Sequence, residues 1–170
     1  GDKVPANYQL LLTFKDESFL VFTVAMYGFI SAYPDAVIDN KYYTISRESI
    51  SPLSDAYTEA EFEKLFAFAK KTLTAKALLA TEQRIPGVGN GVTQDILFNA
   101  GIHPKQKVFD LSDGQKGVLF KSLKDTLMAM TSGRGRDTQT DLYGNEGGYK
   151  TILSSKTWKN PCPRCGSVIV

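Results

Sequence analysis

Residues 74–104, TAKALLATEQRIPGVGNGVTQDILFNAGIHP, constrain the fold more than any other stretch. Thr74 is placed to cap a helix that carries Ala75, Leu78 and Leu79 on its buried side. RIPGVGN then breaks the helical pattern with one proline and two glycines. A second helix is expected from Asn90 through Ile96, Leu97 and Ala100, ending at Gly101, a residue suited to the left-handed position after a helix. The stretch therefore reads as two short helices joined by a glycine-rich turn.

The first N–H groups of a helix have no partner inside it, so they attract anions. Glycines at 87, 89 and 91 remove the side chains that would hold a phosphate away from those donors. Asn90, expected at the cap, adds its own amide, and Lys76 on the preceding helix adds charge, so the turn reads as a phosphate clamp. PGVG alone is better explained by an ordinary helix connection. The assembly of lysine, turn, asparagine and terminal AGIHP favours the clamp.

From Lys76 to Pro104 the sequence resembles, without gaps, the helix-two-turns-helix motif of the formamidopyrimidine-DNA glycosylase and endonuclease VIII family of base-excision repair enzymes. The resemblance implies that Lys76 and Asn90 contact DNA phosphates beside the damaged nucleotide and that Gly89 opens the backbone to them. Five residues after the asparagine the family usually has glutamate, where this chain has Asp95. The implied partner is damaged double-stranded DNA; the oligomeric state is left open, with a monomer expected of the intact protein.

The chain has 170 residues, of which 42% are apolar, enough for a real core. No apolar run reaches 18 residues and the start, GDKVPANYQ, is polar, so a soluble intracellular protein is expected, with no membrane partner. Residues 1–102 carry a formal charge of −3 and residues 103–170 one of +5, which places a basic surface late in the chain. With the resemblance, that points to a cytoplasmic, nucleoid-associated protein.

The fold class expected is α+β: part of an antiparallel β-sandwich and connector (1–50), a helical helix-two-turns-helix domain (51–132), and a basic loop with the start of a zinc-finger hairpin (133–170). Residues 8–14, 18–25 and 28–33 read as strands, with Lys15-Asp16-Glu17 as a tight connection between the first two. Residues 18–25 are apolar on both faces, so a covering layer is expected, and with it an N-terminal segment absent from this sequence. Residues 34–57 read as a connector around a possible strand, YYTI.

The family's sandwich opens with a catalytic proline followed by glutamate. The secondary amine attacks the sugar carbon and the carboxylate handles protons. Gly1-Asp2 matches neither, so no catalytic residue is assigned and the chain as given is expected to bind DNA without cleaving it. Met26-Tyr27-Gly28 sits where the family places residues that wedge into the duplex, and Tyr27 is the candidate to fill the space left by a flipped base. A tyrosine packed on the core at a strand end is the alternative.

Thr58 and Glu61 form a capping-box signal for an amphipathic helix over 59–71 carrying Phe62, Leu65, Phe66 and Ala69. Ser112 with Gln115 starts a second, carrying Leu119, Phe120, Leu123, Leu127 and Met130. His103, the only histidine, excludes His-pair metal sites and is expected to make a structural hydrogen bond at a helix end. Residues 132–149, with five glycines and two arginines, read as a mobile basic loop. The resemblance implies that Arg134 or Arg136 meets phosphate or a base edge there.

Cys162 and Cys165 in CPRCG have the spacing of a zinc knuckle, and a redox pair is disfavoured because no strand–CxxC–helix pattern surrounds them. The family has a second CxxC about one hairpin later, which implies that the zinc site is incomplete in this sequence. The expected function is a bifunctional DNA glycosylase and AP lyase acting on oxidised bases in duplex DNA. A structural RNA-binding protein with a ribosomal-type helix-two-turns-helix is the alternative, and a helix-hairpin-helix binder in a larger repair complex is a third reading.

Overall fold

The computed structural model describes residues 3–24, 30–34, 37–67 and 69–169. The chain divides into two units, Gly1–Asp39 and Asn40–Val170. The first holds an antiparallel pair, β1 (Leu10–Thr13) and β2 (Phe19–Phe22), in the register Leu10↔Phe22 to Thr13↔Phe19. The connection is tight, as expected. Glu17 takes a left-handed φ of 67°, and the Asp16 carboxylate accepts from the Ser18 amide at 3.1 Å and its hydroxyl at 2.6 Å.

The strands are shorter than the sequence suggests. Residues 23–24 and 30–33 take no strand conformation, and the rest of the expected third strand, together with Gly1-Asp2 and Met26-Tyr27-Gly28, lies outside the described residues. The two apolar faces of β2 are real, and Leu12, Phe14 and Phe19 are exposed.

The second unit contains α1 (Lys41–Glu48), α2 (Glu59–Ala67), α3 (Ala75–Ala80), α4 (Asn90–Ala100) and α5 (Asp113–Ser132). YYTI is helical rather than extended: it lies inside α1, where Asn40 caps the helix by accepting from the Tyr43 amide at 3.1 Å. Aromatic and β-branched residues favour strands only where a neighbouring strand and a face are available to pack on. α1 buries no residue, so its local cap decides its conformation.

The other helices follow their signals. Thr58 Oγ1 accepts from the Glu61 amide at 3.4 Å, although the helix ends at Ala67 rather than running to 71. Ser112 and Gln115 make a complete capping box on α5. The core lies between α2, α3, α4 and α5, with Phe62, Leu78, Ile96, Leu119 and Leu123 wholly buried. Each such side chain contributes roughly 1.5–3 kcal/mol by leaving water. Phe62 stacks edge-on against Phe66 at 5.4 Å and tilts against Phe120 at 5.7 Å. Two polar ties fix α5 against α4: Ser122 Oγ donates to Ile96 O at 2.7 Å, and Asn99 Nδ2 to Thr126 Oγ1 at 3.1 Å.

Candidate nucleic-acid interface

α3 begins as the sequence predicts, with Thr74 Oγ1 accepting from the Ala77 amide at 3.2 Å. Its other early donors are used internally: Ala75 N donates to Gln106 O at 2.8 Å and Lys76 N to Pro104 O at 3.1 Å. Pro104, the last residue of AGIHP, and Gln106 just past it thus close the start of α3. The Lys76 side chain is exposed and makes no ion pair among the described residues.

Arg84 holds the end of α3, a role not read from the sequence. Its Nη1 donates to Ala77 O at 3.0 Å, Thr81 O at 3.2 Å and Thr81 Oγ1 at 2.7 Å. A cation beside the last carbonyls of a helix is the favourable sign for its dipole. The following turn runs through left-handed Glu82, Gln83 and Gly87 and buries Ile85 and Val88.

The cap of α4 is Gly89, and Asn90 is the first helical residue rather than the cap. The Gly89 backbone is extended, and its carbonyl accepts from the Thr93 amide at 3.0 Å and the Thr93 hydroxyl at 2.9 Å. No side chain caps this helix, and the amides of Asn90, Gly91 and Val92 find no acceptor among the described residues. Gly89 needs neither positive φ nor space, since a Cβ built there meets nothing within 4 Å. At the other end Gly101, at φ 68°, closes α4 as expected, with Ile102 N donating to Leu97 O at 3.0 Å.

Gly91 is a glycine for a different reason. A Cβ on it would lie 2.4 Å from Nη1 of Arg136, so the guanidinium rests on the first turn of α4. Arg136 Nε is buried without a partner. Arg134, left-handed at φ 55°, lines with Arg136, Val92 and Met130 a cavity of about 350 Å³ beside that turn.

Residues 133–151 fold back on themselves through backbone bonds, in place of the free loop expected: Gly148 N to Gly133 O at 2.7 Å, Asp137 N to Tyr149 O at 2.9 Å and Asp141 N to Asn145 O at 2.9 Å. Buried Asp137 accepts from the Thr151 hydroxyl at 2.8 Å and amide at 3.2 Å. Burial alone would raise its pKa, but the two Thr151 bonds outweigh it and, with Lys150 and Lys156, hold the carboxyl below its usual value.

Asp95 joins this segment to α4. It is fully buried and accepts from the Leu153 amide at 2.8 Å and the Ile152 amide at 3.0 Å, one bond to each oxygen. Tyr149 lies beside it. Burial first, then the charge and hydrogen bond of Asp95, push the phenol up to about 12.

The CPRCG turn has the shape of a knuckle. Cys162 O accepts from Gly166 N at 2.8 Å, Cys162 N donates to Ser167 O at 2.7 Å, and Arg164 N points at Cys162 Sγ at 3.4 Å. The Ser167 amide and hydroxyl, followed by Cys162, lower the pKa of the Cys165 thiol. Among the described residues no third ligand joins the two cysteines. Arg164 lies over the Phe98 ring at 5.0 Å. His103 makes the expected structural bond, its Nδ1 accepting from Lys105 N at 3.2 Å.

Fold and site together define a helix-two-turns-helix unit with a CxxC turn bound to its second helix. The protein is related in sequence and fold to the formamidopyrimidine-DNA glycosylases. It is 29% identical to the enzyme of that name from Streptococcus agalactiae over 175 aligned positions, covering 99% of this chain and 63% of the relative. Against the Roseiflexus enzyme it is 32% identical over 123 positions, covering 70% and 44%.

The crystal structure of the Thermus thermophilus MutM (Fpg) protein shares the fold with a TM-score of 0.78 at 20% identity, covering 98% of this chain and 63% of that one. Lactococcus lactis Fpg in complex with DNA containing an abasic site gives 0.59 at 25% identity, covering 75% and 47%. The chain therefore spans under two thirds of the length of these relatives. No family model matches it. Among the described residues no helix is long and apolar enough to cross a membrane.

Proposed function

We propose that this chain binds damaged duplex DNA as part of an intracellular, nucleoid-associated base-excision repair glycosylase, and that the α3–turn–α4 unit holds a backbone phosphate. One observation carries this reading: the start of α4 leaves three consecutive amides without acceptors among the described residues. A phosphate supplies the missing acceptor and meets the positive end of the helix dipole. Asn90 adds a side-chain amide, and Lys76 and Arg136 add charge. Arg136 belongs with this clamp because its guanidinium rests on the first turn of α4. Arg134, in the same cavity, is assigned a phosphate on the neighbouring nucleotide, and Tyr27 is retained as the wedge.

Assayed as residues 1–170, the chain is expected to bind without cleaving, since Gly1-Asp2 offers no secondary amine beside a glutamate. Cys162 and Cys165 fit half of a tetrahedral zinc site, with a tight turn and a thiol of lowered pKa, and two further ligands are needed to fill it. Bound zinc would brace the turn and takes no part in the chemistry.

The test is fluorescence-anisotropy binding to an abasic-site duplex and to an RNA hairpin across a salt series. The repair reading expects tighter duplex binding, weakened by Asn90→Ala and Lys76→Ala. Equal or tighter RNA binding supports the ribosomal-type alternative.

A further inference from the structure

Where α3, the later turns of α4 and residues 153–164 meet, the surface encloses a groove of about 560 Å³, within the range of roughly 300–1,000 Å³ found for small-molecule sites. Its floor is hydrocarbon: Leu97, Phe98, Ile102, Pro104 and Leu153. Lys76, Lys105 and Arg164 stand on its rim, and among the described residues neither Asp nor Glu lines it. His103 faces it with Nδ1 already accepting from the Lys105 amide, which leaves Nε2 as the nitrogen that can donate into the groove.

We propose that this groove binds a small organic carboxylate with a hydrocarbon body, aryl or medium-chain alkyl. The sign of the charge follows from the rim, where every charged group is a cation. The body follows from the floor, because a nucleobase against this hydrocarbon would leave ring nitrogens and carbonyls without partners. Arg164 is held by the Asn99 carbonyl and lies over Phe98, so it forms a wall, while Lys76 and Lys105 are free to meet the carboxylate. Of the residues assigned to the DNA clamp only Lys76 lines the groove, and Lys105 meets the carboxylate without it, so the site does not depend on that assignment.

The test is a titration of residues 1–170 with 1-naphthoate, followed by amide chemical shifts. Saturable one-to-one binding is expected, with shifts centred on 97–102 and 153. The neutral alcohol 1-naphthalenemethanol should bind at least tenfold more weakly. Gln94→Trp, which fills the groove from α4 at a side chain that makes no hydrogen bond among the described residues, should weaken naphthoate at least tenfold, and Lys105→Glu at least threefold. Asn90→Ala should leave naphthoate binding unchanged, so that failure of the DNA clamp and failure of this site are read separately. The proposal is overturned by the absence of saturable binding, by equal affinity for the alcohol, or by undiminished binding to Gln94→Trp. Should that variant melt at a lower temperature than the parent, Lys105→Glu decides, and unchanged affinity there overturns the charge assignment.

Discussion

Arg164, set between the two cysteines, donates its guanidinium to Asn99 O at 3.2 Å in the last turn of α4. The CxxC turn is therefore attached to the helix whose opposite end carries the unpaired amides. Along α4 three contacts hold the late part of the chain: Arg136 on Gly91, Asp95 to the amides of 152 and 153, and Arg164 on Asn99.

Arg164→Ala should loosen the CPRCG turn without unfolding the helices. Arg164 is exposed and exposed ion and hydrogen-bond contacts contribute little, so global stability is expected to fall by less than about 1 kcal/mol. Hydrogen exchange at the amides of Cys162 and Gly166 should rise well above the parent while exchange in α5 stays unchanged.

Asp95→Ala removes the acceptor of two backbone amides and opens a gap. A loss of about 2–4 kcal/mol in urea unfolding is expected, since buried donors left unpaired bear their full desolvation cost. Asp95→Glu restores the residue usual in the family, but at a fully buried site the added methylene should itself cost about 1–3 kcal/mol. A Glu variant as stable as the parent would show that the site is looser than its geometry.

Gly91→Ala separates stability from binding. Alanine favours the helix over glycine by about 1 kcal/mol, yet its Cβ displaces the Arg136 guanidinium, which is the end of a flexible side chain. Thermal stability should hold or rise while affinity for an abasic duplex falls several-fold, and Arg136→Ala should match the loss. If Gly91→Ala binds as well as the parent, Arg136 is not part of the clamp.

Much of this was legible in the sequence because local chemistry decides it. Thr74, Ser112 and Gly101 act as the caps their residue types predict, and the spacing of Leu119, Leu123 and Met130 gives the buried face of α5. YYTI was misread because its strand propensity has no partner strand to act on, whereas Asn40 caps locally. Asn90 was placed one position early, since asparagine is a commoner cap than glycine, but here the Gly89 carbonyl holds both the amide and hydroxyl of Thr93. Arg84, Arg164 and Asp95 act through contacts set by the fold, two of them spanning more than fifty residues, which no local pattern announces. Only the position of Arg84 just past a helix end gave a usable hint.

The buried phenols make stability fall in alkali. Burial raises Tyr57 and Tyr149 to about 12, above an ordinary tyrosine near 10, so the folded state keeps protons that the unfolded state releases. Their contribution is complete below about pH 10 and declines as the pH rises towards 12. Phenolate absorbance should show two tyrosines titrating late, and Tyr149→Phe should remove one of them.

The central claim is that the start of α4 binds a DNA phosphate. The most direct measurement is the salt dependence of abasic-duplex affinity for the parent, Lys76→Ala and Asn90→Ala. A phosphate contact through Lys76 predicts that its loss weakens binding and lowers the slope of log affinity against log salt by about 1, while Asn90→Ala weakens binding with the slope unchanged. Parent-like affinity and slope in both variants would contradict the account.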